Sequence, residues 1–120
     1  MKPGHEADRL YLVHMLECID RVSDYVGDDE TLFRSSRLVQ DAVLRNLQVL
    51  AESSQRLSDE LKVSEPAISW RAISGFRNIL VHDYLGVDVD AIWNVVEREL
   101  SPLHEALGRM LEKSGSRDRP

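Results

Sequence analysis

The sequence lacks the features of secreted, zinc-bound and membrane-embedded proteins. Only one of its 120 residues is a cysteine, Cys18, so the chain can form no internal disulfide, and no group of cysteines and histidines has zinc-site spacing. The first residues, MKPGHEADRL, contain no apolar signal core, and no apolar run reaches the roughly 18 residues of a membrane span. These absences predict a cytoplasmic protein with no metal or other cofactor.

The sequence also has fewer basic than acidic residues. Fifteen Lys and Arg stand against 21 Asp and Glu, which gives a formal net charge of −6. An acidic chain repels phosphate, and this excludes a general nucleic-acid coat protein unless the arginines gather in one place. The length suits a single domain with one core. We expect one helical domain over residues 1–113 and a disordered tail over 114–120.

Strand signals are almost absent. No segment alternates apolar and polar residues, no Asn-Gly or Asp-Gly turn separates apolar runs, and aromatic residues make up only 6% of the chain. Apolar residues recur instead at steps of three and four, which is the spacing of an amphipathic helix. The sequence therefore predicts an all-α protein.

Spacing and capping residues predict four main helices and one short extra helix. The predicted segments are Glu6–Val26, a short turn through Phe33, Ser36–Leu57, a third helix from a Ser69 cap to Tyr84, and a fourth from Asp88 or Asp90 through Met110. The polar stretch from Ser58 to Pro66 connects the second and third helices. Pro102 predicts a kink near Leu100 rather than a break. Long helices with short links are typical of an antiparallel up-and-down bundle.

Side chains suited to catalysis gather at the end of the third helix, in Arg77-Asn78-Ile79-Leu80-Val81-His82-Asp83-Tyr84. A histidine exchanges protons near neutral pH, and an arginine can hold two phosphate oxygens at once. Together they suffice for metal-free RNA cleavage. His82 would take the proton of a ribose 2′-hydroxyl, the oxygen would attack the adjacent phosphorus, and Arg77 would stabilise the transition state.

The spacing alone also fits plainer interpretations. Asn78 and His82 are four residues apart and share a helix face, but Arg77 and His82 are separated by about 140° around an ideal helix. An isolated pair of this kind is more often a solvated arginine and a half-buried histidine. Tyr84 could be an ordinary aromatic at the end of the bundle, and Asp83 could simply pair with Arg77.

Several residues outside this stretch could support the chemistry. Glu52 on the second helix could orient Arg77 or form a partly exposed ion pair. Trp70 and Trp93 are expected to anchor helices rather than to stack on bases. Charged residues on bundles often only solvate a face, but some arginines could contact RNA phosphates. The candidates are Arg71, Arg45, Arg34 and Arg37.

Three segments of the chain resemble the HepT-like toxins of the HEPN superfamily. They are DAVLRNLQVLAESSQRLS, WRAISGFRNILVHDYLGVD and IWNVVERELSPL, and the likeness extends from about Leu10 to Leu111. The family signature, Arg-x4-His-x-Tyr, is present as Arg77, His82 and Tyr84, with Asn78 in its usual second place. Because the motif stands in matching context, the resemblance is more specific than the motif alone.

The resemblance implies an all-helical HEPN-like fold and a homodimer whose motif helices form a composite, metal-independent endoribonuclease site. It also implies the toxin of a type VII-like toxin–antitoxin pair, bound by a nucleotidyltransferase antitoxin that transfers AMP from ATP to Tyr84. An adenylyl group there would add bulk and negative charge two residues from His82 and would block an RNA phosphate. In the dimer, His82 of one subunit could face Arg77 of the other.

Two positions depart from the family pattern. Ala51-Glu52-Ser53 stands where relatives commonly have Gly-Glu-Ala, which puts close helix approach there in doubt. Asp83 occupies the variable motif position, where its carboxylate could favour protonated His82 or repel RNA.

Two other functions stay open. One is a non-catalytic module in which Arg77, Asn78 and His82 hold a nucleotide for the nucleotidyltransferase partner, and the other is an inactive interaction bundle. A dimeric nuclease would need a basic seam at its motif helices within an acidic shell.

Overall fold

The computed structural model describes residues 3–77 and 88–117. All regular secondary structure in these two ranges is helical, which confirms the all-α fold class. None of the helices described there is long and apolar enough to cross a membrane. Four of the predicted motif residues lie outside the described residues. They are Asn78, His82, Asp83 and Tyr84.

The described residues form seven α-helices and one π-helical turn. In chain order they are α1 (Pro3–Val26), α2 (Glu30–Ser35), α3 (Arg37–Gln55), α4 (Asp59–Val63), α5 (Trp70–Ser74), α6 (Val89–Asn94), a π-helical turn (Val95–Glu99) and α7 (Leu100–Arg117). Helix α6, the π-helical turn and α7 form one continuous helix. Helix α7 thus extends into the segment for which the sequence predicts a disordered tail, and Ser114 within it is buried.

Side-chain caps fix where most of these helices begin. In each case a hydroxyl or carboxylate oxygen accepts a hydrogen bond from a backbone N–H three residues later, which satisfies a donor that the first helical turn leaves unpaired. The capping residues are Asp29 for α2, Ser36 for α3, Ser58 for α4, Ser69 for α5 and Asp88 for α6. The caps expected at Ser36 and Ser69 are confirmed, and the structure selects Asp88 over Asp90. Each signal is local in sequence, so sequence alone could find it.

The turn after α1 requires an unusual backbone. Gly27 and Asp28 have φ values of 56° and 58°, in the left-handed region. Glycine adopts this conformation without steric cost, and aspartate tolerates it better than most residues. Gly27 also donates its N–H to the carbonyl of Ser23 at 2.8 Å, so it ends α1 as expected.

The predicted third helix is not continuous. Helix α5 ends at Ser74, Gly75 forms a turn, and helical backbone resumes at Phe76 and Arg77. The N–H of Gly75 donates to the carbonyl of Arg71 at 3.0 Å, four residues back as in an α-helix, and also to the carbonyl of Ile73. A Cβ at Gly75 would lie 3.3 Å from the Ala72 carbonyl oxygen, so glycine suits this turn. Angles calculated for one unbroken helix therefore do not apply across this turn.

The irregularity expected near Leu100 takes the form of the π-helical turn. The N–H of Leu100 donates to the carbonyl of Val95, five residues back instead of four. Pro102 follows at once, and it has no N–H to donate while its ring needs room beside the preceding turn. The wider turn provides that room, and the helix continues through Pro102 as predicted.

Three long helices bury one apolar stripe each. Helix α1 packs against both α3 and α7, while α5 packs against α3. In the described part of the chain, the largest fully buried side chains are Leu12, Met15, Val22, Phe33, Val43, Leu47, Leu50, Ile92, Leu103, Leu107 and Met110. The ring centroids of Phe33 and Trp93 are 5.4 Å apart, which fixes α2 against α6.

A buried carboxylate joins the start of α1 to the start of α4. Asp8 is only 4% exposed. Its Oδ1 accepts the backbone N–H of Ser58 at 2.8 Å, and its Oδ2 accepts the Ser58 hydroxyl at 2.6 Å. The same hydroxyl oxygen accepts the N–H of Leu61 at 3.2 Å. Because both carboxylate oxygens accept hydrogen bonds, the cost of removing Asp8 from water is offset. The contact brings the beginning of α1 to the end of α3, so these two helices are antiparallel.

A second buried carboxylate ties the link between α4 and α5 to α7. The side chain of Glu65 is 8% exposed. Arg109 donates to it from Nε at 3.2 Å and from Nη2 at 2.9 Å, and the Lys113 ammonium lies 3.7 Å away. The hydrogen bonds from Arg109 hold the pKa of Glu65 below its usual range, although burial opposes this. This Glu65 clamp holds the segment that leads into α5.

The Glu65 clamp gives the stability of the fold an acid dependence. Because the folded-state pKa of Glu65 lies below the unfolded value, the clamp is fully stabilising above about pH 4.5 and is lost as the pH falls through the folded value. Replacing Glu65 with Gln should lower the free energy of unfolding by about 1–3 kcal/mol at pH 7. Urea unfolding of both proteins from pH 7 to pH 3 measures this difference, which should shrink towards the acid end. A constant difference would contradict the assignment.

Candidate active site

The segment that carries Arg71 and Arg77 is held by apolar contacts. Ile73 in α5 and Phe76 after it are buried, and α5 packs against α3. Arg71 and Arg77 themselves are exposed. The backbone on this side of the molecule is therefore anchored, while the guanidinium groups remain in solvent.

Helix α3 presents Arg45 and Glu52 on its outer face. The two residues are seven apart, which places them about 20° apart around the helix. Both are exposed, opposite the stripe of Val43 and Leu47 that faces the core. Within the described residues, no hydrogen bond or ion pair joins Glu52 to Arg77. A role for Glu52 in orienting Arg77 stays a prediction.

The basic residues divide into paired and unpaired groups. Arg34 donates to Glu30 from Nε and to Asp90 from Nη1, both at 2.7 Å, and these carboxylates raise the pKa of the Arg34 guanidinium. Arg34 therefore joins α2 to α6, and the expectation that it contacts phosphate is not supported. Arg45, Arg71 and Arg77, by contrast, have no side-chain hydrogen bond or ion pair to any residue described by the structure.

An acidic cavity lies on another side of the molecule, between α1 and the helix formed by α6, the π-helical turn and α7. Its volume is about 600 Å³. Four carboxylates line it together with His104, whose Nε2 lies 3.0 Å from Oδ1 of Asp20. The four are Asp20, Asp28, Glu97 and Glu105. This concentration of negative charge makes the cavity a poor site for an RNA phosphate.

The structure describes only part of the predicted site. It places Arg77, Arg71, Arg45 and Glu52 on exposed surfaces of the α3 and α5 region, but Asn78, His82, Asp83 and Tyr84 fall outside the described residues. Among the side chains that are described, no three of His, Cys, Asp or Glu cluster as metal ligands would.

Sequence reasoning missed the Glu65 clamp. A glutamate in a predicted loop carries no signal for an arginine 44 residues later, because that contact is created only when the helices pack. The acidic cavity was missed for the same reason, since its carboxylates come from the end of α1 and the turn after it and from the last helix, which are far apart in the chain. A helical-wheel comparison of α1 and α7 could have shown the acidic residues, but not their convergence.

Comparison with known proteins identifies similar chains. The family described as "Ribonuclease HepT-like" matches residues 15–110. The "Gamma-glutamylcyclotransferase and putative RNase" of Methanocaldococcus jannaschii is 32% identical over 106 residues, covering 88% of this chain but only 48% of that protein. The "Probable ribonuclease HepT" of Thermococcus cleftensis is 30% identical over 106 residues, covering 86% and 92%. No solved structure shows a significant match.

The pairing of the arginines can be tested by stability. Replacing Arg34 with Ala removes two charge-assisted hydrogen bonds, one to Glu30 within α2 and one to Asp90 of α6, and should lower the free energy of unfolding. Arg45→Ala and Arg71→Ala should leave it within about 0.5 kcal/mol of the wild type, as expected of unpaired surface residues. Urea unfolding at neutral pH makes the comparison. Equal effects for all three variants would show that Arg34 is no more structural than the others.

Proposed function

This chain belongs to the HepT-like ribonuclease family, and from that membership we propose that it is a metal-independent endoribonuclease that acts as a homodimeric toxin. One observation carries the proposal. Arg77, the first residue of the Arg-x4-His-x-Tyr motif, is exposed and free of any described partner, on a segment anchored by Ile73 and Phe76. A guanidinium in that state is available to an RNA phosphate without first breaking a salt bridge.

The reaction needs only groups that the motif supplies. His82 accepts the proton of a ribose 2′-hydroxyl, and the oxygen forms a bond to the adjacent phosphorus. Arg77 stabilises the negative charge that builds up on the phosphoryl oxygens. The bond from phosphorus to the 5′-oxygen then breaks, and that oxygen leaves with a proton from a protonated histidine or from water. The products are a 2′,3′-cyclic phosphate and a free 5′-hydroxyl.

Two copies of the chain complete the site in this proposal. Arg77 and His82 do not project together from one regular helix, because five residues correspond to a rotation of about 140°. In a symmetric dimer, His82 of one subunit lies beside Arg77 of the other. The dimer also gathers the unpaired Arg45 and Arg71 of both subunits in the same region, which would locally offset the net charge of −6.

Cleavage of RNA in the presence of EDTA tests the activity. His82→Ala should reduce the rate about 10²–10⁴-fold because the general base is lost, and Arg77→Ala about 10²–10³-fold because transition-state charge is no longer stabilised. Arg21→Ala is the matched control, since Arg21 is an exposed arginine on α1, away from the motif. Undiminished cleavage by both motif variants, or loss in the control, would refute the assignment.

Mixing the two inactive variants tests whether the site spans two subunits. After unfolding and refolding together, half of the dimers contain one copy of each variant, and each such dimer has one site with both groups intact. Activity should therefore return to about a quarter of the wild-type value. No recovery would place His82 and Arg77 of the same subunit together. Tight binding of AMP or ATP without RNA cleavage would favour the non-catalytic module instead.

We further propose that a nucleotidyltransferase antitoxin silences the site by adenylylating Tyr84. The phenol oxygen forms a bond to the α-phosphorus of ATP, the bond to the bridging oxygen breaks, pyrophosphate leaves, and the phenol proton passes to a base on the partner. The added phosphate is a charged group two residues from His82, where it opposes an incoming RNA phosphate.

Mass spectrometry of the chain co-expressed with its nucleotidyltransferase neighbour tests this modification. The intact mass should increase by whole AMP units, and Tyr84→Phe should abolish the increase. Tyr25→Phe is the matched control, because Tyr25 is an exposed tyrosine on α1, outside the motif. AMP retained by Tyr84→Phe, or found on Tyr25, would disprove the site.

A further inference from the structure

A mostly apolar groove opens beside the beginning of α5. It has a volume of about 490 Å³, within the range of about 300–1,000 Å³ that is usual for small-ligand sites. We call it the Trp70 groove, and it is lined by Asp59, Lys62, Val63, Pro66, Ile68 and Trp70. It is separate from the acidic cavity, with which it shares no lining residue.

The indole of Trp70 is held in place in this groove. Its Nε1–H donates to the backbone carbonyl of Lys62 at 3.0 Å, and the backbone N–H of Trp70 donates to the carbonyl of Ile68 at 3.1 Å. The only polar group of the ring is thus satisfied within the protein, while the side chain is half-buried and lines an open groove. A planar ligand could pack on the ring without displacing any hydrogen bond.

The fold leaves apolar surface in water at the groove. Val63, the last residue of α4, is 75% exposed, and Pro66 beside it is also exposed. Apolar surface concentrated next to a fixed tryptophan is more typical of a binding surface than of a randomly placed side chain. This is a suitable environment for the flat face of a nucleobase.

A lysine lines the groove, and two arginines follow Trp70 in the chain. The Lys62 ammonium lies 4.0 Å from Asp59, whose side chain is fully exposed, so this ion pair is long and leaves Lys62 able to donate elsewhere. Arg71 follows Trp70 in the chain, and Arg77 comes six residues after that, with both guanidinium groups unpaired among described residues. Trp70 and Arg77 are seven residues apart in the chain, so their Cα atoms are separated by at most about 25 Å.

We propose that the Trp70 groove binds an unpaired base of a single-stranded RNA substrate, stacked on Trp70, with a neighbouring phosphate near Lys62 or Arg71. Proteins that bind single-stranded nucleic acid combine stacking aromatics with cations that follow the backbone. The inference rests on the proposed ribonuclease function and specifies its substrate, which is RNA that is single-stranded a few nucleotides from the cleaved bond. It also gives Trp70 a role beyond that of a helix anchor.

Tryptophan fluorescence reports directly on the groove, because the chain has only Trp70 and Trp93. The probe is a 2′-O-methylated RNA strand of about 12 nucleotides, which resists cleavage and falls within known site sizes. In the Trp93→Phe variant, this strand should quench the emission of Trp70. In the Trp70→Phe variant, the emission of Trp93, which packs on Phe33, should change little. Equal quenching in the two variants, or none in Trp93→Phe, overturns the inference.

A pair of surface variants tests the groove without disturbing the core. Val63→Asp places a negative charge in it and should weaken binding of the same strand about five- to tenfold, through lost stacking and repulsion of phosphate. Leu10→Asp is the matched control, since Leu10 is 66% exposed on α1 and the change in charge is identical. Circular dichroism should show both variants to be folded. Equal affinities for the two variants would disprove the groove.

The outcomes separate this inference from the proposed function. If RNA is cleaved in EDTA and cleavage depends on His82, but Val63→Asp has the same KM as Leu10→Asp, the nuclease proposal stands and the base groove is wrong. If Val63→Asp weakens binding while no cleavage is found, the groove stands and the nuclease proposal fails. Binding of a fully paired hairpin as tightly as the single strand would also overturn the groove, because stacking on Trp70 requires an unpaired base.

Discussion

Burial of the apolar stripe on α1 between α3 and α7 is the contact on which the rest of the molecule depends. The helices α2, α4 and α5 have five or six residues each, too few to be stable alone in water. They keep their places because they are capped and because each is attached to a long helix. Phe33, Asp8 and Glu65 provide attachments of this kind. The backbone that carries Arg71 and Arg77 is therefore positioned by the apolar core, although both arginine side chains are exposed.

Much of the fold follows from local signals in the sequence. Apolar spacing locates α1, α3 and the long last helix, and short polar caps such as Ser36 and Ser69 fix helix starts to within a residue. Contacts between distant segments carry no such signal. The Glu65 clamp, for example, depends on a partner that only packing brings near.

Only part of the candidate site could be predicted from the sequence. Motif and resemblance point to Arg77, and its exposure suits the role given to it. They do not distinguish Arg34 from Arg45, since both are arginines near helix ends or faces in an acidic chain. Only the folded structure shows that two carboxylates bind Arg34, while Arg45 and Arg71 are without partners among the described residues. Net charge is thus a poor guide to function here, because the location of the acidic groups matters more than their number.

The π-helical turn affects how the last helix tolerates a change in its length. A π turn holds one residue more than the α-helical turn that it replaces, so an extra residue fits there without a loop. Deleting one residue from Val95–Glu99 would therefore leave a regular α-helical turn, with Leu103, Leu107 and Met110 still facing the core. The same deletion between Leu103 and Leu107 would instead rotate Leu107 and Met110 by about 100° relative to α6. The π-helical turn is thus the place where this helix can lose a residue without moving its buried face.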